Sequence, residues 1–331
     1  MSIISTINPS IPSNQTHNAA LGVGAGQRDL NLTLFSGEVL TQFLTKTVMR
    51  PNMRTRTISG STSYQFPAIG GVGSAYHQPG DEIKGQAVNH GATTITVDDL
   101  LVSAVSVSKY EEMINHFEVR SEYTRQMGDE MAQAYDRKAF ALALKAIEDG
   151  ATGPIPELDD PAVKLQIGTT PTDADFIDAV FQMQQTFDER NIPDSDRILV
   201  TTPKRYYSLI QSGEILNQDY GNAGNGSQAS GKVLKVAGLN ITVSNNLAIN
   251  NVNNVKRAGS VLTDYNVDGT AYEGLIMHKQ ALAAVHLQEI ATESTGWRPQ
   301  YQDTLLISKQ ANGMGVLRPD CLGGIVAEAA A

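Results

Sequence analysis

One stretch constrains the fold of this chain more than any other. Residues Val119 to Asp149 read VRSEYTRQMGDEMAQAYDRKAFALALKAIED, with no proline and a single glycine, Gly128. Tyr123, Met127, Met131, Tyr135 and Ala139 fall four apart, and Leu142 and Ala146 continue the series. That spacing puts them on one face of an α-helix. About thirty residues rising ~1.5 Å each predict a rod of ~45 Å. An ordinary globular helix is less than half that length. A rod this long is not needed to build a pocket, so it is expected to be a spine against which other elements lie.

The 331 residues suffice for one large or two medium domains. Hydrophobic residues make up 41% and charged residues 18%, which describes a globular, weakly charged chain. The net charge of −10 argues against tight binding along a nucleic-acid backbone, which needs a basic stripe. Cys321 is the single cysteine, so neither an intrachain disulfide nor a cysteine metal site is available. The first residues lack the basic and apolar regions of a signal peptide, and no apolar run reaches the length of a membrane span. The expectation is a soluble protein made in a reducing compartment, with no membrane partner.

Residues Met1 to Asn31 are polar and rich in Asn, Ser, Gly and Pro, and cannot bury enough surface to fold alone. They read as a tail, or as an arm that orders on a neighbouring subunit. Leu32 to Val48 carries apolar residues at helical spacing, with a cap near Ser36. Ser63 to Phe66 and Thr93 to Val97 alternate as strands around a polar, Gly-rich segment with a turn signal at Pro79, Gly80 and Asp81. A long two-stranded flap is expected. Such a hairpin is marginal in water unless something covers it, and the cover is expected to be another molecule.

Leu100 to Val107 reads as a half-buried strand and Glu111 to Phe117 as a short helix before the spine. Gly150 to Thr170, with three prolines, reads as a loop. Thr172 and Asp175 resemble an N-cap with an acid at N3, opening a helix over Asp173 to Glu189. The strand Ile198 to Thr201 and the helix Lys204 to Ser212, with Pro203 at its first position, argue for a mixed α/β subdomain. Asn217 to Gly231 is a low-complexity, mobile loop. Strands follow at Lys232 to Val236, Leu239 to Val243, Gly259 to Thr263, Gly274 to His278 and Ala281 to Ala291. Thr304 to Lys309, a turn at Asn312 and Gly313, and Gly315 to Leu317 suggest a terminal hairpin.

Catalytic constellations are missing from the sequence. GVGAG at Gly22 to Gly26 lacks both the preceding strand and the third glycine of a dinucleotide loop. His17, His77, His90, His116, His278 and His286 are scattered without metal-ligand spacing. Asp98 with Asp99, and Glu157 to Asp160, read as solvated turns rather than cation sites. Arg50, Arg54 and Arg56 form a basic cluster too small for affinity by counterion release, and pairing with acids on the same or a neighbouring subunit is expected. No catalytic, cofactor-binding or metal-ligating residue is assigned, and no cofactor is expected. An arm, a flap and a spine without a catalytic site describe an assembly unit.

Several short segments, in order, carry a resemblance. They are FSGEVL at Phe35 to Leu40, QFP at Gln65 to Pro67, and Tyr76 with Pro79, Gly80 and Asp81. NHF at Asn115 to Phe117, VRSEYT at Val119 to Thr124 and LRP at Leu317 to Pro319 follow. With them the chain resembles the major capsid protein of autographivirus-type podoviruses, short-tailed phages with double-stranded DNA, from about Leu34 to Val326.

The resemblance implies an α+β chain with the tailed-phage and herpesvirus major capsid fold. It implies an N-terminal arm over 1–31, an extended β-hairpin loop over 57–97 and an axial domain over 172–278. The peripheral domain would take 32–56, then 98–171 with the spine helix at 119–149, then 279–331. Partners would be further copies of the chain in hexamers and pentamers, a scaffolding protein, a portal protein and a decoration protein. The shell would enclose double-stranded DNA without sequence-specific binding and expand from a precursor to a mature form. It would assemble in the host cytoplasm and end in the virion capsid. Candidate inter-subunit contacts are Tyr76, Asp81, Glu82, Lys84, Arg50, Arg54 and Arg56. Gly128 is a candidate spine hinge on expansion, with close packing against a strand as the alternative. Some members of this fold crosslink a flap lysine to an asparagine on a neighbour; Lys84 sits on the flap and Asn312 in the late strands, but a lysine on a polar loop reads as solvated. An encapsulin-like cellular shell and a soluble α/β enzyme with an unrecognised site are the competing readings.

Overall fold

The computed structural model describes residues 38–328, apart from 75, 79, 81, 84, 99, 109–118, 156–159, 213–225, 228–231, 234, 248–266 and 295–299. The expected arm, the cap at Ser36, the helix Glu111 to Phe117 and the strand Gly259 to Thr263 lie outside these residues.

The chain is helical over 38–46 (α1) and makes one 3-10 turn, Arg50–Asn52. Four strands come next: β1 Arg54–Thr57, β2 Ser63–Ile69, β3 His90–Thr96 and β4 Leu101–Ser108. The spine helix, α2, runs Val119–Glu148. It is followed by β5 Val163–Gln166, α3 Asp173–Glu189, β6 Arg197–Thr201 and α4 Pro203–Ser212. Two short strands, β7 Gly226–Ser227 and β8 Lys232–Val233, precede β9 Lys235–Val236, β10 Leu239–Val243 and β11 Tyr272–His278. The chain ends in β12 Leu282–Ser294, β13 Asp303–Val316 and β14 Leu322–Val326. One sheet has the order β1-β12-β13-β4 and another β5-β14-β11-β6-β10-β9. The flap is the separate pair β2 and β3, and β7 pairs with β8.

Two sequence expectations give way here, and one strand stands where none was marked. No hairpin turns at Asn312 and Gly313, because β13 passes straight through them. The glycine serves packing instead: a Cβ on Gly313 would stand 2.0 Å from the carbonyl oxygen of Thr96, at the end of β3. Arg54 to Thr57 form a strand although all four residues are exposed and show no alternation. Parallel pairing with Ala283 to His286 of β12 holds them. The expected loop after α2 contains β5, which pairs in parallel with Gly323 to Val326 of β14.

The chain divides into two compact units, one of residues 1–45, 102–131 and 290–310, the other of 46–101, 132–289 and 311–331. In the first, Val39 and Phe43 of α1 are buried. The α1 side chain of Gln42 donates from Nε2 to Asp129 Oδ1 of α2 at 2.6 Å. In the second, α2 is buried almost all round: Ala139 to Leu144 are without exception buried. An amphipathic stripe understates this half, whose alanines let neighbours approach on several sides.

The six-stranded sheet carries the main core of that second unit. β6 and β14 are buried at every residue, as expected for central strands covered on both faces. The parallel pair β6 and β10 is joined through α4, and α3 starts with the expected capping box. Thr172 Oγ1 accepts from the Asp175 amide at 3.3 Å, and Asp175 Oδ2 accepts from the Thr172 amide at 2.9 Å. Buried Arg205 of α4 donates to Glu273 and, at 2.9 Å, to Asp173 Oδ1.

Candidate subunit-contact surface

The flap leaves apolar side chains in solvent. β2 and β3 pair antiparallel from Ser63 opposite Thr96 to Ile69 opposite His90. At the root, alternation buries Phe66 and Ile95 with Ala283, Val285 and Leu317. Beyond Ile69 this burial ends. Ile69, Val72, Tyr76 and Ile83 are all strongly exposed, Tyr76 completely so. Glu82 is exposed as well, whereas Asp81 and Lys84 lie outside the described residues.

The root is fastened by polar groups in a dry setting. Lys138 Nζ of α2 lies 3.3 Å from Asp98 Oδ2, and both side chains are buried. The Asp98 amide donates to the Asn312 carbonyl at 3.1 Å, and the Val97 amide to the Thr62 carbonyl at 2.8 Å. Nearby, Asp136 of α2 accepts from the amides of Val48 and Met49 at 2.9 and 3.1 Å, which fixes the chain leaving α1. Burial pushes the Asp136 carboxyl up to about 6, against these two donors, which favour the anion. His286 of β12 stacks on Tyr135 with ring centroids 5.9 Å apart, and among the described residues neither ring nitrogen finds a hydrogen-bond partner. Burial lowers its pKa and keeps it neutral.

The three arginines separate in role. Arg50 Nη2 pairs with Glu289 Oε2 at 2.9 Å within the chain. Arg54 lies over the Phe66 ring at 5.4 Å and Arg56 over the Tyr64 ring at 5.7 Å. Both are exposed, and among the described residues neither has a carboxylate partner. The aromatic seats were not apparent in the sequence, because they come from a strand that β1 meets only in the fold.

Gly128 faces α1. A Cβ there would stand 2.9 Å from Gln42 Cβ and 3.0 Å from the Val39 carbonyl oxygen. The close-packing reading thus has a physical cause, with a helix as the neighbour rather than a strand. Asn312, the asparagine of the late strands, is 1% exposed, and its amide does not present itself to a neighbour's lysine. Among the described residues no group of three or more His, Cys, Asp or Glu side chains is placed to hold a metal ion. No helix among them is long and apolar enough to cross a membrane.

A spine helix, a projecting hairpin and two sheets are the parts of the tailed-phage major capsid fold, and solved structures share the arrangement. The capsid structure of cyanophage P-SCSP1u superposes with a TM-score of 0.75 over 86% of this chain and 89% of that one, at 34% identity. The mature capsid of bacteriophage PhiM1 gives 0.69 over 86% and 88%, at 21% identity. The major capsid protein of Enterobacteria phage T3 is 29% identical over 90% of this chain and 91% of its own. Residues 65–326 match the family described as Gp10A-like, major capsid protein. The chain belongs to that family. It is a major capsid protein of the autographivirus type, a structural component of a tailed-phage shell in the virion capsid.

Proposed function

We propose that this chain closes the shell as hexamers and pentamers of an icosahedral lattice, each copy laying its flap on a neighbour. The carrying observation is the flap itself. Ile69, Val72, Tyr76 and Ile83 stand in solvent on a hairpin whose core ends at Phe66 and Ile95. A two-stranded hairpin of this kind gains stability when another surface covers it. Tyr76 is the apolar anchor of that contact and exposed Glu82 a polar one, with Asp81 and Lys84 assigned to it from the sequence alone. Arg54 and Arg56 are cations available to a neighbour's acids, and Arg50 supports them from its pair with Glu289.

In this reading 1–31 is an arm, 57–97 the extended loop and 172–278 the axial domain. Residues 32–56, 98–171 and 279–331 form the peripheral domain. Assembly takes place in the host cytoplasm around a scaffolding protein, with a portal protein at one vertex and a decoration protein outside. Packaged double-stranded DNA is held without sequence-specific contacts. The net charge of −10 suits this, since a repelling wall lets the genome slide. The chain works by contact, not by turnover. Expansion of a precursor shell bends or straightens α2 at Gly128, and a helix equally straight in both shells would remove that part of the reading.

Electron microscopy of the purified chain, alone and with its scaffolding partner, tests the proposal. Hollow icosahedral shells are expected; a discrete monomer under both conditions overturns it. A cellular compartment is less supported, because the matching family and the relatives at 29% and 34% identity are phage capsid proteins.

A further inference from the structure

Among the described residues of 172–278, two large apolar side chains stand in solvent, Phe181 at 55% and Tyr207 at 61% exposure. They sit on different helices and in different electrostatic settings. Phe181 of α3 lines an open groove of about 850 Å³ together with Asp178, Gln185, Asp188, Glu189 and Ala237. Asp188 is neutralised by Arg197 at 2.8 Å, and Glu189 accepts from Gln185 at 2.9 Å. Asp178 has no cationic partner among the described residues, so the groove is acidic beside an apolar ring. Tyr207 projects from α4 one turn after the exposed Lys204, which has no carboxylate partner among the described residues. Tyr206 packs edge-on against Tyr207 with ring centroids 5.6 Å apart, so the ring is held in place. One patch is a shallow, acidic depression with an exposed aromatic ring at its side. The other is one exposed aromatic ring beside one cation.

We propose that the Lys204 and Tyr207 patch of one copy seats in the Phe181 groove of the next, with Lys204 on Asp178 and the two aromatic rings in contact. The inference rests on the self-assembly reading above and names one of its contacts. Ring-forming assemblies need a heterologous interface, in which two different patches of the same chain meet head to tail. The two exposed aromatics of this region form such a complementary pair, alike in their apolar rings and opposite in the charge beside them. A two-fold dimer could also use this pair, each patch meeting the other twice over, and would give covalent dimers alone where a ring gives a ladder. Aromatic anchors in a pocket are also the side chains that most often dominate binding.

Two experiments test the contact in assembled shells. Cys321, the single native cysteine, is buried, so introduced thiols can be read without background. The double variant Phe181→Cys with Tyr207→Cys, assembled and treated with a short bis-maleimide crosslinker that spans the gap left by the two rings, is expected to give a ladder of covalent multimers on a denaturing gel. Each single variant is expected to give only dimer or monomer. Shells of the double variant that run entirely as monomer overturn the proposal. In the second experiment Lys204→Asp and Asp178→Lys each lower shell yield about tenfold, and the double exchange recovers most of it. Folded single variants that assemble as the wild type does overturn the contact while leaving self-assembly standing. A wild-type chain that forms no shells overturns self-assembly and this contact together.

Discussion

Asp136 and His286 show how single buried groups set the pH response of this protein. The folded chain holds the Asp136 proton up to about pH 6, against an ordinary value of 3.8. A carboxyl raised in this way contributes stability that is fully present below about pH 4 and lost as pH rises through about 6, a span worth about 3 kcal/mol. Denaturant titrations should therefore show wild type losing about that much relative to Asp136→Asn between pH 4 and pH 7. A constant difference across the range would show that the carboxyl titrates normally. His286 acts in the opposite sense. Its lowered pKa gives stability that is present above the unfolded value of about 6.5 and is lost on acidification. His286→Phe keeps a ring on Tyr135 and removes two buried nitrogens that have no partner among the described residues. It is expected to add about 1 kcal/mol at neutral pH and to flatten the loss below pH 6. A decrease at neutral pH would mean that the imidazole is bonded after all.

At the scale of elements, the contact between α1 and α2 makes a prediction against simple propensity. Alanine favours a helix interior over glycine by about 1 kcal/mol. At Gly128 it would press on Gln42 and the Val39 carbonyl, so Gly128→Ala is expected to destabilise by about 1–2 kcal/mol, measured by thermal or chemical unfolding. A stabilised variant would show that α1 yields freely. The same glycine illustrates what the sequence can express. The four-residue stripe through Met127, Met131 and Tyr135 announced α2 to within one residue of its end, because helical periodicity is local information. The capping box of α3 was legible for the same reason. The identity of the element lying on Gly128 was not, since it depends on a contact more than eighty positions away in the chain. β1, β5 and β14 were hidden too. RTRT has no apolar alternation, VKLQ follows three prolines, and LGGIV carries two glycines that weaken a strand pattern. Asn312 and Gly313 misled because the pair that marks a tight turn also suits a strand pressed against a neighbouring backbone. The contact candidates on the flap were readable as polar and Gly-rich sequence, but the aromatic seats under Arg54 and Arg56 required the fold.

At the scale of the whole molecule, stability and assembly should separate cleanly. Tyr76 makes no use of its ring within the chain, being completely exposed. Tyr76→Ser is therefore expected to leave the unfolding midpoint of the unassembled chain unchanged, within about 0.5 kcal/mol, while lowering the yield of shells in sedimentation. Equal yields would remove Tyr76 from the contact. The buried pair of Lys138 and Asp98 has a mechanical consequence. It bonds the foot of the β2–β3 hairpin to the part of α2 that follows Gly128, which makes the joint a fulcrum. If a neighbour holds the tip of the flap, as proposed above, a pull there would enter α2 at Lys138. A lattice of such copies would carry internal pressure as tension handed from lever to lever.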